Sequence, residues 1–208
     1  LSLGEFQEAG VGGGDTGVLN GSKTAVLNGS NAEILLVAAR ESGAASDSEG
    51  ISVFMVDASS AGVSIQSFAN VDGKKSAEIN LKDVSVPVAQ RLGASGSALQ
   101  ALQDGVDRAT LAVSAEAVGA MESLLHKTVE YSKTRKQFGT AIGTFQALQH
   151  RMADMFIECQ LARSIVIMAA MKLDGGDEAI EKTKSVSAAK SRIGKAIQKV
   201  GQESIQIH

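Results

Sequence analysis

The chain has 208 residues, 44% of them hydrophobic and 21% charged, with a net charge of −3. That composition is ordinary for one large or two smaller globular domains, and a slightly acidic chain offers no nucleic-acid surface. No apolar run approaches the roughly 18 residues that would cross a bilayer, and the single cysteine, Cys159, excludes an intrachain disulfide and fits a reducing compartment.

In chain order, residues 1 to about 90 read as short strands. Lys23–Leu27 is followed by the turn signal Asn28-Gly29. Glu33 to Ala39 and Ile51 to Val56 are apolar runs of strand length, Val63 to Phe68 alternates, and Ala77, Ile79 and Leu81 alternate with Glu78, Asn80 and Lys82. Polar and glycine-rich clusters separate them, notably 41–50 and 72–74, and spacing near twelve residues predicts an antiparallel sandwich or barrel. Pro87 closes the last strand, and Gly93 and Gly96 mark a hinge.

From about Ser97 the period becomes helical. Leu111, Ala115, Val118, Met121, Leu125 and Thr128 recur at three- and four-residue steps, and Phe145 to Leu173 carries a stricter seam that includes Met152, Met155 and Cys159. Asp174-Gly-Gly-Asp177 stops it, Asp177 is the expected N-cap of a third helix, and Val186, Ala189, Ile193, Ala196, Val200 and Ile207 line one side of that helix. The four methionines Met152, Met155, Met168 and Met171 read as adaptable bundle packing. The predicted fold is therefore α+β: a β-domain over 1–91, then an antiparallel bundle of long helices over 92–208, with three helices visible and a fourth missing. The chain opens on Leu1 rather than Met, and its last helical pattern runs to His208 without a stop signal, so the reading expects a piece of a longer protein.

The chemistry concentrates in Tyr131-Ser-Lys-Thr-Arg135-Lys-Gln137-Phe138-Gly139, between two helical patterns. An arginine fork suits a pyrophosphate, a phenyl ring offers a flat apolar face, and glycine lets backbone approach a ligand. Read alone, Arg135 could equally be a helix-end charge, Phe138 a packing residue and Gln146 a capping partner of Thr144. His126, His150 and His208 lack ligand spacing, so no metal site is expected. No P-loop or G-x-S-x-G elbow occurs.

Arg135-Lys-Gln-Phe138-Gly139, with Phe145-Gln146-Ala-Leu-Gln149-His150 and Ala153-Asp154-Met155, resembles the flavin-site signature of acyl-CoA dehydrogenases. Leu19-Asn20-Gly21-Ser-Lys23 is similar to the family's I-N-G-x-K, Leu36-Val-Ala-Ala-Arg40 to its following strand, Asp83-Val84-Ser-Val86-Pro87 to its D-V-x-V-P exit, and Gln206-Ile207-His208 to the start of its Q-x-x-G-G-x-G loop. The resemblance implies an enzyme that uses FAD to oxidise an acyl-CoA thioester to the 2,3-enoyl-CoA. It assigns Arg135, Gln137, Phe138, Gln146 and Gln206 to the FAD pyrophosphate and adenine end, across a subunit boundary, and Arg108 to the CoA side.

It also implies a homo- or hetero-tetramer built as a dimer of dimers, an electron-transfer flavoprotein as redox partner, and a bacterial cytoplasmic setting. Trp-x-Thr, which meets the flavin ring in the family, is replaced by Ala25 and Leu27, and the T-E-P-G-A-G-S-D segment survives at best as a decayed Glu8–Asp15. The family's usual catalytic Glu lies beyond this chain. Some members place the base just before the helix arginine, which makes Asp107 the candidate here. The block over 145–154 looks like the small subunit of pimeloyl-CoA-type dehydrogenases, so the alternative is a non-catalytic subunit that completes a partner's FAD site. An oxygen-using flavin relative shares the same bundle.

Overall fold

In a computed structural model of the protein, residues 16–208 are described in full and residues 4–8 by backbone alone; the decayed Glu8–Asp15 motif thus lies outside the described side chains. The chain divides into two compact units, Leu1–Leu102 and Gln103–His208.

The first unit is a seven-stranded sheet. Its strands are β1 (Gly4–Glu8), β2 (Thr16–Leu27), β3 (Ile34–Arg40), β4 (Ile51–Asp57), β5 (Val63–Ala69), β6 (Lys75–Pro87) and β7 (Arg91–Leu92), in the order β5-β6-β2-β1-β3-β4-β7. Every pairing is antiparallel except that of β1 with β3. Alternation puts Ala77, Ile79, Leu81, Val84 and Val86 of β6 inside, where they meet Leu19 of β2 and Leu35, Val37, Phe54 and Val56 of β3 and β4. Strands from both ends of the sheet share this one interior, so the sheet curls over its own core.

Two bulges shape β2, which starts seven residues earlier than its apolar run suggested. Asn20 faces two residues of β6, and Asp83 takes φ 53° while its N–H donates to Asn20 Oδ1 at 2.8 Å. Further on, Thr24 and Ala25 together face one residue of β6, with Ala25 at φ 53°.

Glu41, at the exit of β3, accepts hydrogen bonds from Ser52, Ser95 and the Gly96 N–H, and from Arg91 at 2.7 Å. Burial pushes its carboxyl up, but the bonds from Ser52, Ser95 and Arg91 and the arginine's charge outweigh that and hold it below the usual carboxylate range. A native value below the unfolded one stabilises the fold at pH above the unfolded value, and the contribution fades as pH falls through the native value. Glu41→Gln should therefore lower stability at neutral pH by about 1–3 kcal/mol and flatten the acid limb of the stability curve, measured by urea unfolding from pH 7 to 3.

The second unit holds three helices, α1 (Leu99–Thr134, entering from the first unit), α2 (Gln146–Asp174) and α3 (Ala179–Ile207). Ion pairs Arg108–Asp174 and Glu122–Arg163 between α1 and α2, and Arg151–Glu203 and Glu158–Arg192 between α2 and α3, ascend one helix as they descend the other, so α2 runs antiparallel to both neighbours. The core joins Val118 and Met121 to Met155, Cys159 and Ala162 and to Val186, Ile193 and Val200, along the sequence seam. Two expectations fail. Glu178, not Asp177, is the N-cap of α3, without a side-chain cap bond; Asp177 instead pairs with Lys172, because the turn points its carboxylate back at α2. Met168 and Met171, 44% and 71% exposed, lie on the outer side of α2, since neither falls on the three-four seam through Ala162, Ala169 and Leu173.

Candidate functional site

The segment between α1 and α2 is not an irregular loop but a hairpin, β8 (Lys136–Gln137) and β9 (Thr140–Ala141). Its two-residue turn is Phe138-Gly139, with φ 53° and 82°, the doubly positive pair a type I′ turn requires. Glycine adopts this freely; phenylalanine does so at a cost, so a bulky residue held there is a constraint with a reason outside local propensity. The base is tied down: the Arg135 N–H donates to the Tyr131 carbonyl and the Ile142 N–H to the Arg135 carbonyl, both at 2.9 Å. Gly143 packs so closely on α1 that an added Cβ would sit 2.9 Å from Ser132 Oγ.

This rigid base projects its side chains outward. Phe138 is 93% exposed, its ring edge-on to Phe145 with centroids 6.1 Å apart. Arg135 and Gln137 are exposed as well, and among the described residues no carboxylate pairs with the Arg135 guanidinium. Gln146, the first residue of α2, is exposed beside the hairpin. Gln206, exposed in the last turn of α3, comes to the same end of the bundle, where Tyr131 stacks on His208 with ring centroids 4.4 Å apart. Five of the seven candidate residues thus share one end of the second unit. Tyr131, which opens the stretch singled out in the sequence, joins them at that end.

Asp107 and Arg108 sit at the opposite end of α1 and point apart. The Asp107 carboxylate is buried and accepts from Thr183 Oγ1 at 2.6 Å and Gln103 Nε2 at 3.0 Å. Arg108 is exposed, 3.8 Å from Asp174 in a weak surface pair. So Asp107 is neither solvated nor the partner of Arg108.

In the first unit a groove of about 690 Å³ is lined by Lys23, Thr24, Val26, Leu27, Ile34 and Leu36 among others. It is mainly apolar. The Lys23 ammonium donates to the Ala38 carbonyl at 3.1 Å, and burial lowers its pKa. Leu27 stands 69% exposed and Ala25 occupies the bulge, so neither a hydroxyl nor an aromatic cover is offered at the Trp-x-Thr positions. The hairpin thus offers an exposed guanidinium and an exposed phenyl ring, whereas the strand positions held by Ala25 and Leu27 offer neither ring nor hydroxyl. Among the described residues no cluster of His, Cys, Asp and Glu could hold a metal ion, and no helix is long and apolar enough to cross a membrane.

Known proteins resemble the chain in sequence and in fold. The acyl-CoA dehydrogenase C-terminal domain pattern matches residues 98–208 and the middle domain pattern residues 4–84. The Bacillus subtilis (strain 168) protein named Probable acyl-CoA dehydrogenase YngJ is 33% identical over 208 residues, 99% of this chain and 54% of that protein. The caffeyl-CoA reductase-Etf complex subunit CarC of Acetobacterium woodii is 32% identical over 162 residues, 76% of this chain and 42% of its own length. Butyryl-CoA dehydrogenase from Megasphaera elsdenii superposes with a TM-score of 0.87 at 28% identity, covering 99% of this chain and 53% of that one. The chain spans about half the length of the relatives it matches. The C-terminal domain pattern alone takes in more than half of these residues, and the chain belongs to the acyl-CoA dehydrogenase family of FAD-dependent oxidoreductases.

Proposed function

We propose that this chain is the middle and C-terminal part of an acyl-CoA dehydrogenase subunit that oxidises an acyl-CoA thioester to the 2,3-enoyl-CoA. The observation that carries the reading is the outward-facing hairpin, with Arg135 and Phe138 held on a fixed base and turned away from their own core. Arg135 would grip the pyrophosphate as a two-pronged donor and Phe138 would cover the adenine, while Gln137, Gln146 and Gln206 supply hydrogen bonds at the same dinucleotide. FAD, when bound, would take up the hydride removed from the β carbon. Arg108 remains exposed and available to the CoA side. Asp107 is buried with both oxygens bonded inside its own bundle, which favours a structural role over that of the base.

The hairpin grips a cofactor shared with an adjacent protomer, in a homo- or hetero-tetramer built as a dimer of dimers. An electron-transfer flavoprotein is the proposed redox partner, supported by the Etf complex named for the Acetobacterium relative. The proposed setting is the bacterial cytoplasm. Ala25 and Leu27 favour a second reading, in which the chain completes the FAD site of a different, catalytic subunit. The test is the flavin spectrum of the full-length protein purified alone, followed by anaerobic addition of acyl-CoA. One FAD per chain with bleaching near 450 nm (roughly the absorbance band of oxidised flavin) supports the dehydrogenase. FAD that acyl-CoA does not bleach, or that is retained only with a second subunit, favours the alternative.

A further inference from the structure

The two glycines of the inter-helix segment answer opposite needs. Gly139, in the hairpin turn, takes φ 82°, and among the described residues nothing lies within 4 Å of where its Cβ would be. Gly143 has no positive φ, yet an added Cβ would sit 2.9 Å from Ser132 Oγ and 3.0 Å from the Ser132 carbonyl oxygen. Space, not backbone conformation, calls for glycine there. Ser132 is buried near the end of α1, and its hydroxyl is engaged, donating to the Val129 carbonyl at 2.7 Å. The carbonyl of Gly143 is held from α2. Gln149 Nε2 donates to it at 2.9 Å, across the bend at Phe145, where ψ is 120°. Gly143 is thus seated against α1 and bonded to α2.

We infer that Gly143 and Gln149 are positioning residues, which together fix the direction in which the hairpin presents Arg135 and Phe138. A ladder of two residue pairs is too short to hold a direction of its own. Its limbs are tied to each other by the bond from the Ile142 N–H to the Arg135 carbonyl, and to α1 by the bond from the Arg135 N–H to the Tyr131 carbonyl. Ile142, buried in the bundle core, sets how deep the outgoing limb lies. Those contacts leave a swing about the end of α1 open. The seat of Gly143 on Ser132 and its bond from Gln149 add one attachment to each flanking helix, and both oppose that swing. The inference rests on the proposed cofactor role of Arg135 and Phe138.

The test uses the full-length protein. Spin labels at K136C and Q160C, both exposed positions outside the proposed cofactor residues, report the direction of the hairpin against α2 without any cofactor, and Cys159 is buried away from the label. The wild type should give one narrow distance. Gly143→Ala, which must push the outgoing limb off α1, should shift or broaden it. Gln149→Met keeps length and helix propensity but has no N–H, and should broaden it. Gln149→Lys restores a donor and should return the wild-type width. In unlabelled protein FAD affinity should fall about tenfold in Gly143→Ala and about threefold in Gln149→Met. Should Gly143→Ala fail to fold, the Gln149 variants, altered at an exposed position, are read alone. An unchanged distance in both Gly143→Ala and Gln149→Met overturns the inference, whatever the affinity. A changed distance with unchanged FAD affinity removes the link to the site, while wild-type protein that binds no FAD defeats the functional reading and leaves the hairpin result standing.

Discussion

Arg135→Ala should weaken FAD binding by about 2–3 kcal/mol, on the order of 30- to 150-fold, without unfolding the protein. The side chain is exposed and makes no ion pair among the described residues, so truncation removes no contact the fold needs. What holds the segment is backbone: the Arg135 N–H and carbonyl stay bonded to Tyr131 and Ile142 whatever side chain is present. Arg135→Lys keeps the charge but not the planar fork and should recover only part of the loss. Phe138→Gly separates the two demands on its position. It removes the ring, which should weaken binding, and it relieves a positive φ, which should stabilise the hairpin. Titration of the apoprotein with FAD, followed by flavin fluorescence, reads the first effect and thermal unfolding the second. Wild-type affinity in Arg135→Ala would sink the cofactor assignment.

Phe54→Ala should cost about 3–5 kcal/mol in the unfolding of the β unit. Phe54 is fully buried, and it packs in the cluster where β3 and β4 meet Ile79, Leu81 and Val84 of β6. Its neighbours belong to paired strands and cannot collapse into the space without breaking ladder hydrogen bonds. Since a domain of this kind is stable by only about 5–15 kcal/mol in total, the variant should sit near its unfolding threshold at 37 °C. Denaturant titration would show this, and a loss below about 1 kcal/mol would mean that the core repacks far more freely than close packing allows.

Much of the fold was legible because periodicity reports burial directly. The period-two run over 77–82 and the three-four seam over 145–173 each name the face that leaves water, and the core follows them. The methionines misled for the same reason. Apolar chemistry alone does not say which side of a helix faces the bundle, so Met168 and Met171 read as core although their phase turns them outward. Asp177 failed as a cap because the geometry of a four-residue turn, not the residue type, decides where its carboxylate points.

The candidate site divides in the same way. Arg135, Phe138 and Gln146 could be selected from spelling, since the residue types and their spacing lie within one short stretch of chain. Asp107 could not be interpreted from spelling: its neighbour in sequence is Arg108, but its partner is Thr183, seventy-six residues away.

By itself, the sequence determined the succession of a β unit and a bundle of long helices, and the family to which both belong, because hydrophobic period and local motif are properties of neighbouring residues. Tertiary structure alone decided that the inter-helix segment is a type I′ hairpin with its ring in solvent, that the end of α3 arrives beside it, and that a carboxylate spelled like a base is buried between helices. Those three outcomes depend on which distant surfaces exclude water from one another, and no local pattern encodes that.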